Sequence, residues 1–225
     1  MKKILSFFCV MCLAACSSDI AQDSLTLDTP KEVLSLTERV QKTIVSEQEI
    51  FLSALPDKIS SMKAQGALAY YEKNQRGAGF SRTYEDAENQ LSLTVFVYNG
   101  FDFGIADVLN ETTDAVMEEA LGKFKIYQET GLYQNVKPAP VVQKEMIVRG
   151  KKHAFLRTTV SFTLKGKRKI SYIALIPSRK LMSYVRIQLT YPNSFAATKL
   201  QNAALRAVMG AAAELPEEAE TSFGL

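Results

Sequence analysis

"VVQKEMIVRGKKHAFLRTTVSFTLKGKRKISYIALIPSRKLMSYVRIQLTY", residues 141–191, is the stretch whose reading decides the fold. Four β-branched and aromatic runs are separated by the turn signals "RGKK", "KGKR" and "PSRK", the layout of an antiparallel meander. Apolar residues at 154, 156, 160, 162 and 164 are even-numbered, as are Ile170, Tyr172, Ala174 and Ile176. In the last run Leu181, Val185, Ile187 and Leu189 are odd. Side chains alternate faces with period two, so a one-residue slip would turn a strand inside out. Placing these sets on one buried face pairs 164 with 170 and 176 with 181, with turns at 165–169 and 177–180. Val160, Ala174 and Leu156 then share a core. On the other face Ser161 lies beside Ile173 and Tyr184, and Thr159 beside Leu175 and Met182. That face is greasy enough to need its own cover.

Outward from the meander, "KEVLSLTERVQKTIVSEQEIFLSAL" spaces Val33, Leu36, Val40, Ile44 and Phe51 at helical intervals, and Pro56 ends the run. "GALAYYEK" and "LSLTVFVYN" read as strands, with "NQRGAGF" a glycine turn between them. A second helix is expected from Ala106 to Gln128, with Leu109, Val116, Ala120, Phe124 and Tyr127 on one face, stopped by Gly131. A third starts after Pro192 with Ser194 as N-cap and carries Ala197, Leu200, Ala204, Val208 and Ala211 in one stripe. The expected fold class is therefore α+β: a mostly antiparallel sheet with a C-terminal four-strand meander and helices packed on both faces. The order helix, two strands, helix, four strands, helix over roughly 56–212 resembles the PsbP-like α-β-α sandwich. The resemblance implies a binding or assembly-assisting module and carries over no functional residue.

The chain begins with Lys2, Lys3 and an apolar run from Ile4 to Ala15, too short for a permanent span, which needs ~20 residues. A charged start, a short apolar stretch and small residues make a secretory signal. Leu13-Ala14-Ala15-Cys16 resembles a bacterial lipobox, in which the cysteine is lipidated and becomes the mature N-terminus. Cys12 competes poorly, with bulky Met11 before it and Cys9 where a leucine should stand. An ordinary signal cut elsewhere is the bland alternative, and a zinc site of Cys9, Cys12 and Cys16 has no histidine near it. The resemblance implies two or three acyl chains on Cys16, hence durable anchoring, since each buried methylene adds roughly 0.8 kcal/mol. Ser17 and Ser18 after the cysteine imply sorting to the outer membrane, facing the periplasm. The expected layout is signal peptide 1–15, lipidated N-terminus and tether 16–30, one domain 31–213 and an acidic tail 214–225. With all three cysteines at or before position 16, an exported domain must rely on its core rather than on disulfides. At 47% hydrophobic, with 12 Phe and 9 Tyr, it can build one.

No motif names a chemistry. His153 is the single histidine, without a ligand or nucleophile partner in sequence. "GAG" at 77–79 lacks the Lys-Ser/Thr of a phosphate loop and reads as a turn. Glu111, Asp114 and Glu118 fall on one solvated helix face, and with Asp102, Asp107 and Glu119 they lack the spacing of a calcium loop. Residues 144–180 hold eleven Lys and Arg against Glu145 alone. Charged turns of this kind keep sheet edges unpaired. The sharper reading gives Lys165, Lys167, Arg168 and Lys169 a contact with an anionic surface, each cation adding on the order of 1 kcal/mol. Nucleic acid does not fit an exported protein. The expectation is a non-enzymatic, membrane-anchored binding module for a protein or envelope partner, without cofactor or metal. The alternatives are an enzyme with an unconventional site, or a carrier holding an apolar ligand among Phe96, Tyr98, Tyr172 and Tyr184.

Overall fold

The computed structural model describes residues 30–215 other than 101 and 103, and their side chains from residue 37 onward. The signal segment, Cys16, the tether before Pro30 and the tail beyond 215 lie outside the described residues. The chain runs α1 (Pro30–Ala54), β1 (Lys58–Ile59), β2 (Met62–Tyr70), β3 (Phe80–Asp86), β4 (Leu91–Tyr98), α2 (Glu111–Glu129). It continues through β5 (Gln134–Pro138), β6 (Val142–Val148), β7 (Lys151–Leu164), β8 (Lys167–Ser178), β9 (Ser183–Pro192) and α3 (Thr198–Glu214). All strand pairs are antiparallel, in the order β1-β2-β3-β4-β9-β8-β7-β5, with β6 beside the first half of β7. Helices α1 and α3 cover one face and α2 packs on the other, an α+β sandwich.

The meander's turns set its register. Lys165 (φ 49°) and Gly166 (φ 76°) form the whole loop between β7 and β8, so Leu164 pairs with Lys167. Such two-residue left-handed loops match the twist of the flanking strands. The expected pairing of 164 with 170 is thereby corrected, and even positions of β7 share a face with odd positions of β8. Val160 and Leu156 face α2, whereas Ala174 faces α1 and α3. Thr159 pairs with Tyr172, and Ser161 with Ile170. Parity misleads here because Tyr172, Ile173, Ala174, Leu175 and Ile176 are all buried, as in a strand covered on both faces. In the second hairpin Ile176 pairs with Val185 rather than with Leu181, a slip of two full pleats that leaves the faces unchanged.

Three strands escaped the sequence pattern. β1 is two residues long and β5 is a polar edge. β3 hides its alternation because Arg82 stands between Phe80 and Tyr84 on the buried side. That arginine ends α1: Nη1 donates to the carbonyls of Leu52 (2.8 Å), Ser53 (3.2 Å) and Leu55 (2.9 Å), and Nη2 to Asp57 (2.6 Å). A cation there satisfies carbonyls a helix C-terminus otherwise leaves unpaired.

Helix α2 starts later than expected. Asn110 caps it, accepting from the Thr113 amide (2.9 Å) while Thr113 Oγ1 accepts from the Asn110 amide (3.3 Å), so Ala106 and Leu109 precede the helix. Its buried stripe is Thr113, Met117, Ala120 and Phe124, and Tyr127 is exposed. Helix α3 likewise begins at Thr198, with Ser194 in the preceding turn rather than at the cap. Its stripe adds Leu205 and Met209 to the expected positions. Among the described residues no helix is long and apolar enough to cross a membrane.

The two faces are covered unequally. Under α1 and α3 lies a core running from Phe51, Leu52 and Tyr84 through Leu93, Val95, Ile187 and Leu189 to Leu205 and Val208. Under α2 the core is smaller, centred on Phe124, Phe162, Val160, Ile173 and Leu175. Helix α2 rests on β5 and β8. The α2-side residues of β4 and β9 (Ser92, Thr94, Gln188, Thr190) are polar and only half-buried.

Candidate functional site

Where α2 stops covering β4 and β9, a groove of about 490 Å³ opens between the helix, the two strands and the 71–79 loop. It is larger than the cavity of about 170 Å³ beside His153. Two cross-strand pairs form its floor: Phe96 is opposite Arg186, and Tyr98 is opposite Tyr184. These residues alternate with Val95, Val97, Val185 and Ile187, which point into the other core. The Arg186 guanidinium lies over the Phe96 ring, 4.1 Å from its centroid, and 5.6 Å from that of Tyr98. The Tyr98 and Tyr184 rings lie tilted at 44° with centroids 6.3 Å apart.

Arg186 is only 6% exposed, and among the described residues no carboxylate pairs with it. Its Nε has no hydrogen-bond partner, and the Tyr98 hydroxyl is within bonding reach of the guanidinium. A guanidinium can accept such a position because it is weakly hydrated and stacks on aromatic rings, yet an unpaired buried charge remains costly. Burial pushes the Tyr98 phenol up against the opposing pull of Arg186. Burial also raises Tyr184, whose hydroxyl bonds the Asp102 carboxylate. Both phenols therefore stay protonated at neutral pH and act as donors. From α2, Glu119 and Lys123 reach the rim. Burial lowers the lysine's pKa, Arg186 lowers it further, and Glu119 opposes both.

The loop wall is held by its own chain. The Glu72 carboxylate accepts the amides of Gly77 (3.0 Å) and Gly79 (2.9 Å), and the Gly77 carbonyl accepts those of Asn99 (3.2 Å) and Gly100 (3.0 Å). A Cβ on Gly79 would stand 1.9 Å from the Val97 carbonyl oxygen, and its φ is +65°. Only glycine fits that approach. "GAG" is thus a turn whose two glycine amides are filled by Glu72, while the Ala78 amide donates to the Gln75 carbonyl.

The structure brings Phe96, Tyr98 and Tyr184 together, but Tyr172 is 1% exposed in the core on the opposite face, so it does not line this groove. The basic hairpin tip divides. Lys165, Lys167 and Arg168 are exposed, with Lys167 and Arg168 alternating to opposite faces of β8. Lys169 is half-buried and its Nζ donates to Gln90 O (3.2 Å) and Oε1 (3.4 Å), while Lys167 Nζ approaches Gln90 Oε1 at 3.5 Å. Two of the four cations are therefore tied to the β3–β4 turn. His153 sits over its cavity with burial lowering its pKa, Asp107 opposing. Asp107 itself accepts the Arg179 amide (2.7 Å). Glu111, Asp114 and Glu118 are exposed on α2, the first two in its opening turn, where acids suit the helix dipole. Sequence reasoning passed over Arg186. The signal was a lone charge inside "SYVRIQLTY", on the alternate face from Val185, Ile187 and Leu189.

No family model matches the chain, and no curated protein matches it. Among solved structures it is similar to LpqN of Mycobacterium tuberculosis, described as involved in cell envelope biogenesis. The identity is 13% over 69% of this chain and 79% of that one, with a TM-score of 0.32. The Saccharomyces cerevisiae Ran-binding protein Mog1p is similar at 12% identity over 67% of this chain and 82% of that one, with a TM-score of 0.29. Neither likeness carries an argument about this chain.

Proposed function

We propose that this chain is an exported lipoprotein, anchored through Cys16, whose domain binds an envelope component without transforming it. Its lipid holds it at the outer membrane, facing the periplasm. The ligand site is the groove between α2 and the β4–β9 pair. The observation that carries the reading is the α2-side floor of that groove, three aromatic rings around a buried arginine where helix cover ends. Rigid rings and one desolvated cation suit recognition. Burial keeps the phenols protonated, so they can offer hydrogen-bond donors to a ligand.

The test is hydrogen exchange on the detergent-solubilised lipoprotein with and without a detergent extract of the producing cells' envelope. Added protection is expected in 71–79, 96–102 and 112–123, and Gly79→Ala, which displaces the loop wall, should abolish it. Unchanged exchange in those segments on adding extract would overturn the reading. Mass spectrometry of the mature N-terminus should find acyl chains on Cys16, and a free or differently cut N-terminus would refute the anchor.

A further inference from the structure

Resting on that groove, we infer that its ligand is an organic oxyanion, a carboxylate or phosphate on a flat or aliphatic apolar body, seated against Arg186. Four features lead there. Arg186 is more than nine-tenths buried and lines the cavity, and its Nε has no hydrogen-bond partner among the described residues. One plane of it is covered by Phe96, which leaves the N–H edge as the binding edge. An oxyanion is the group that matches that fork of donors with two parallel hydrogen bonds. Around the cation stand the rings of Phe96, Tyr98 and Tyr184, apolar area for the ligand's body, with the Tyr98 hydroxyl as a further donor.

The contrast with Arg82 supports a role beyond structure. That arginine is saturated by three carbonyls and a carboxylate. Arg186 caps nothing and joins no ion pair among the described residues. The groove's own carboxylates do not take its place: Asp102 is engaged by the Tyr184 hydroxyl, and Glu119 lies one helical turn from Lys123 at the exposed rim. Lys123 adds a second positive charge across the opening.

The experiment titrates the solubilised lipoprotein with benzoate, phenyl phosphate and a short-chain phosphatidic acid below its micelle concentration. Benzamide, phenol and a short-chain diacylglycerol serve as neutral counterparts. Thermal shift and tyrosine-ring NMR signals are the readouts. At least one anion should bind about tenfold tighter than its counterpart, and Arg186→Met should erase that preference while keeping the melting point. Which anion binds separates a carboxylate, a free phosphate and a lipid headgroup. If Arg186→Met does not fold, Lys123→Gln carries the test and should weaken the preferred anion roughly threefold. Equal binding of charged and neutral partners, no binding by any anion at millimolar concentration, or a preference that survives the substitution overturns the inference. Envelope extract distinguishes the two levels: groove protection that is the same in wild type and Arg186→Met leaves the binding reading intact and removes the anion. Protection in neither removes both.

Discussion

Arg82 and Arg186 sit on opposite faces of one sheet and show what each face is for. Arg82 reaches under α1 and finds acceptors for both Nη atoms, so its charge is spent on ending a helix. Arg186 is buried on the α2 side with a ring beneath it and an unpartnered Nε. The α1–α3 face holds the larger core, and its unpartnered buried atoms, such as the Tyr84 and Tyr172 hydroxyls, are neutral. The α2 side is closed over β7 and β8 but open over β4 and β9, and there the chain tolerates an unsatisfied cation. Such a group lowers stability, a cost that a ligand completing it would offset.

Neighbouring positions on β9 offer the largest test of that contrast. Ile187 is fully buried toward α1 and α3, while Gln188 faces the open side and is half-buried. Ile187→Asp buries an unpaired charge and should cost several kcal/mol, comparable with a domain's whole stability. Gln188→Asp should cost under about 1 kcal/mol. Comparable melting of the two proteins would mean the faces are assigned the wrong way round.

How far sequence reaches is visible in the same strands. β9 has apolar residues at every second position, so its faces were readable from alternation alone. β8 is apolar on both faces, so its parity carries no information, and the two-residue Lys165-Gly166 turn decides the register instead. β3 was invisible because Arg82 occupies an inward position, and an inward arginine makes sense only once the end of α1 is placed beside it. The rings of the groove were foreseeable as a set apart from Tyr172, whose even position already put it on the face opposite Tyr184. Arg186 requires the topology: only the pairing of β4 with β9 stacks it on Phe96.

Alkaline pH probes the sealed face. Tyr84 is wholly buried there and its pKa is pushed up to about 12, chiefly by burial, with Arg82 opposing and Asp57 adding slightly. The unfolded phenol ionises near 10, so folding stability is fully present below pH 10 and falls as pH rises from 10 to about 12. A shift of this size corresponds to about 3 kcal/mol. Tyr84→Phe should shrink the stability difference between pH 9 and pH 12 by an amount of that order. At pH 7 it should be neutral or slightly stabilising, since its hydroxyl has no hydrogen-bond partner among the described residues. An unchanged alkaline profile would show that Tyr84 is not sealed.

The two arginines themselves make the next comparison. Arg82→Met strands the last carbonyls of α1 and should lower stability by about 2 kcal/mol in urea melts. Arg186→Met replaces an unpaired buried cation with an apolar chain of similar length and should leave stability unchanged or raise it by about 1 kcal/mol. Reversed signs would mean that Arg186 is the structural arginine and the groove a by-product of packing.

The smallest effect is expected at the hairpin tip, outside both faces. Lys167 is exposed, and its side-chain hydrogen bond among the described residues, to Gln90 Oε1, is a long 3.5 Å. Lys167→Asp should therefore change stability by no more than roughly 0.5 kcal/mol. Lys169, half-buried and bonded to the Gln90 carbonyl at 3.2 Å, should be somewhat more sensitive to the same change. If the tip also touches an anionic surface, Lys167→Asp will weaken binding to phosphatidylglycerol vesicles, and the loss will vanish in high salt because exposed charges are screened beyond ~8 Å at physiological ionic strength. Cosedimentation that is unchanged by the substitution at low salt would leave the basic turn a solvated hairpin tip between interior strands. The groove would then remain the molecule's candidate for ligand contact, since Arg186 is on β9, away from the β7–β8 turn, and is untouched by the change.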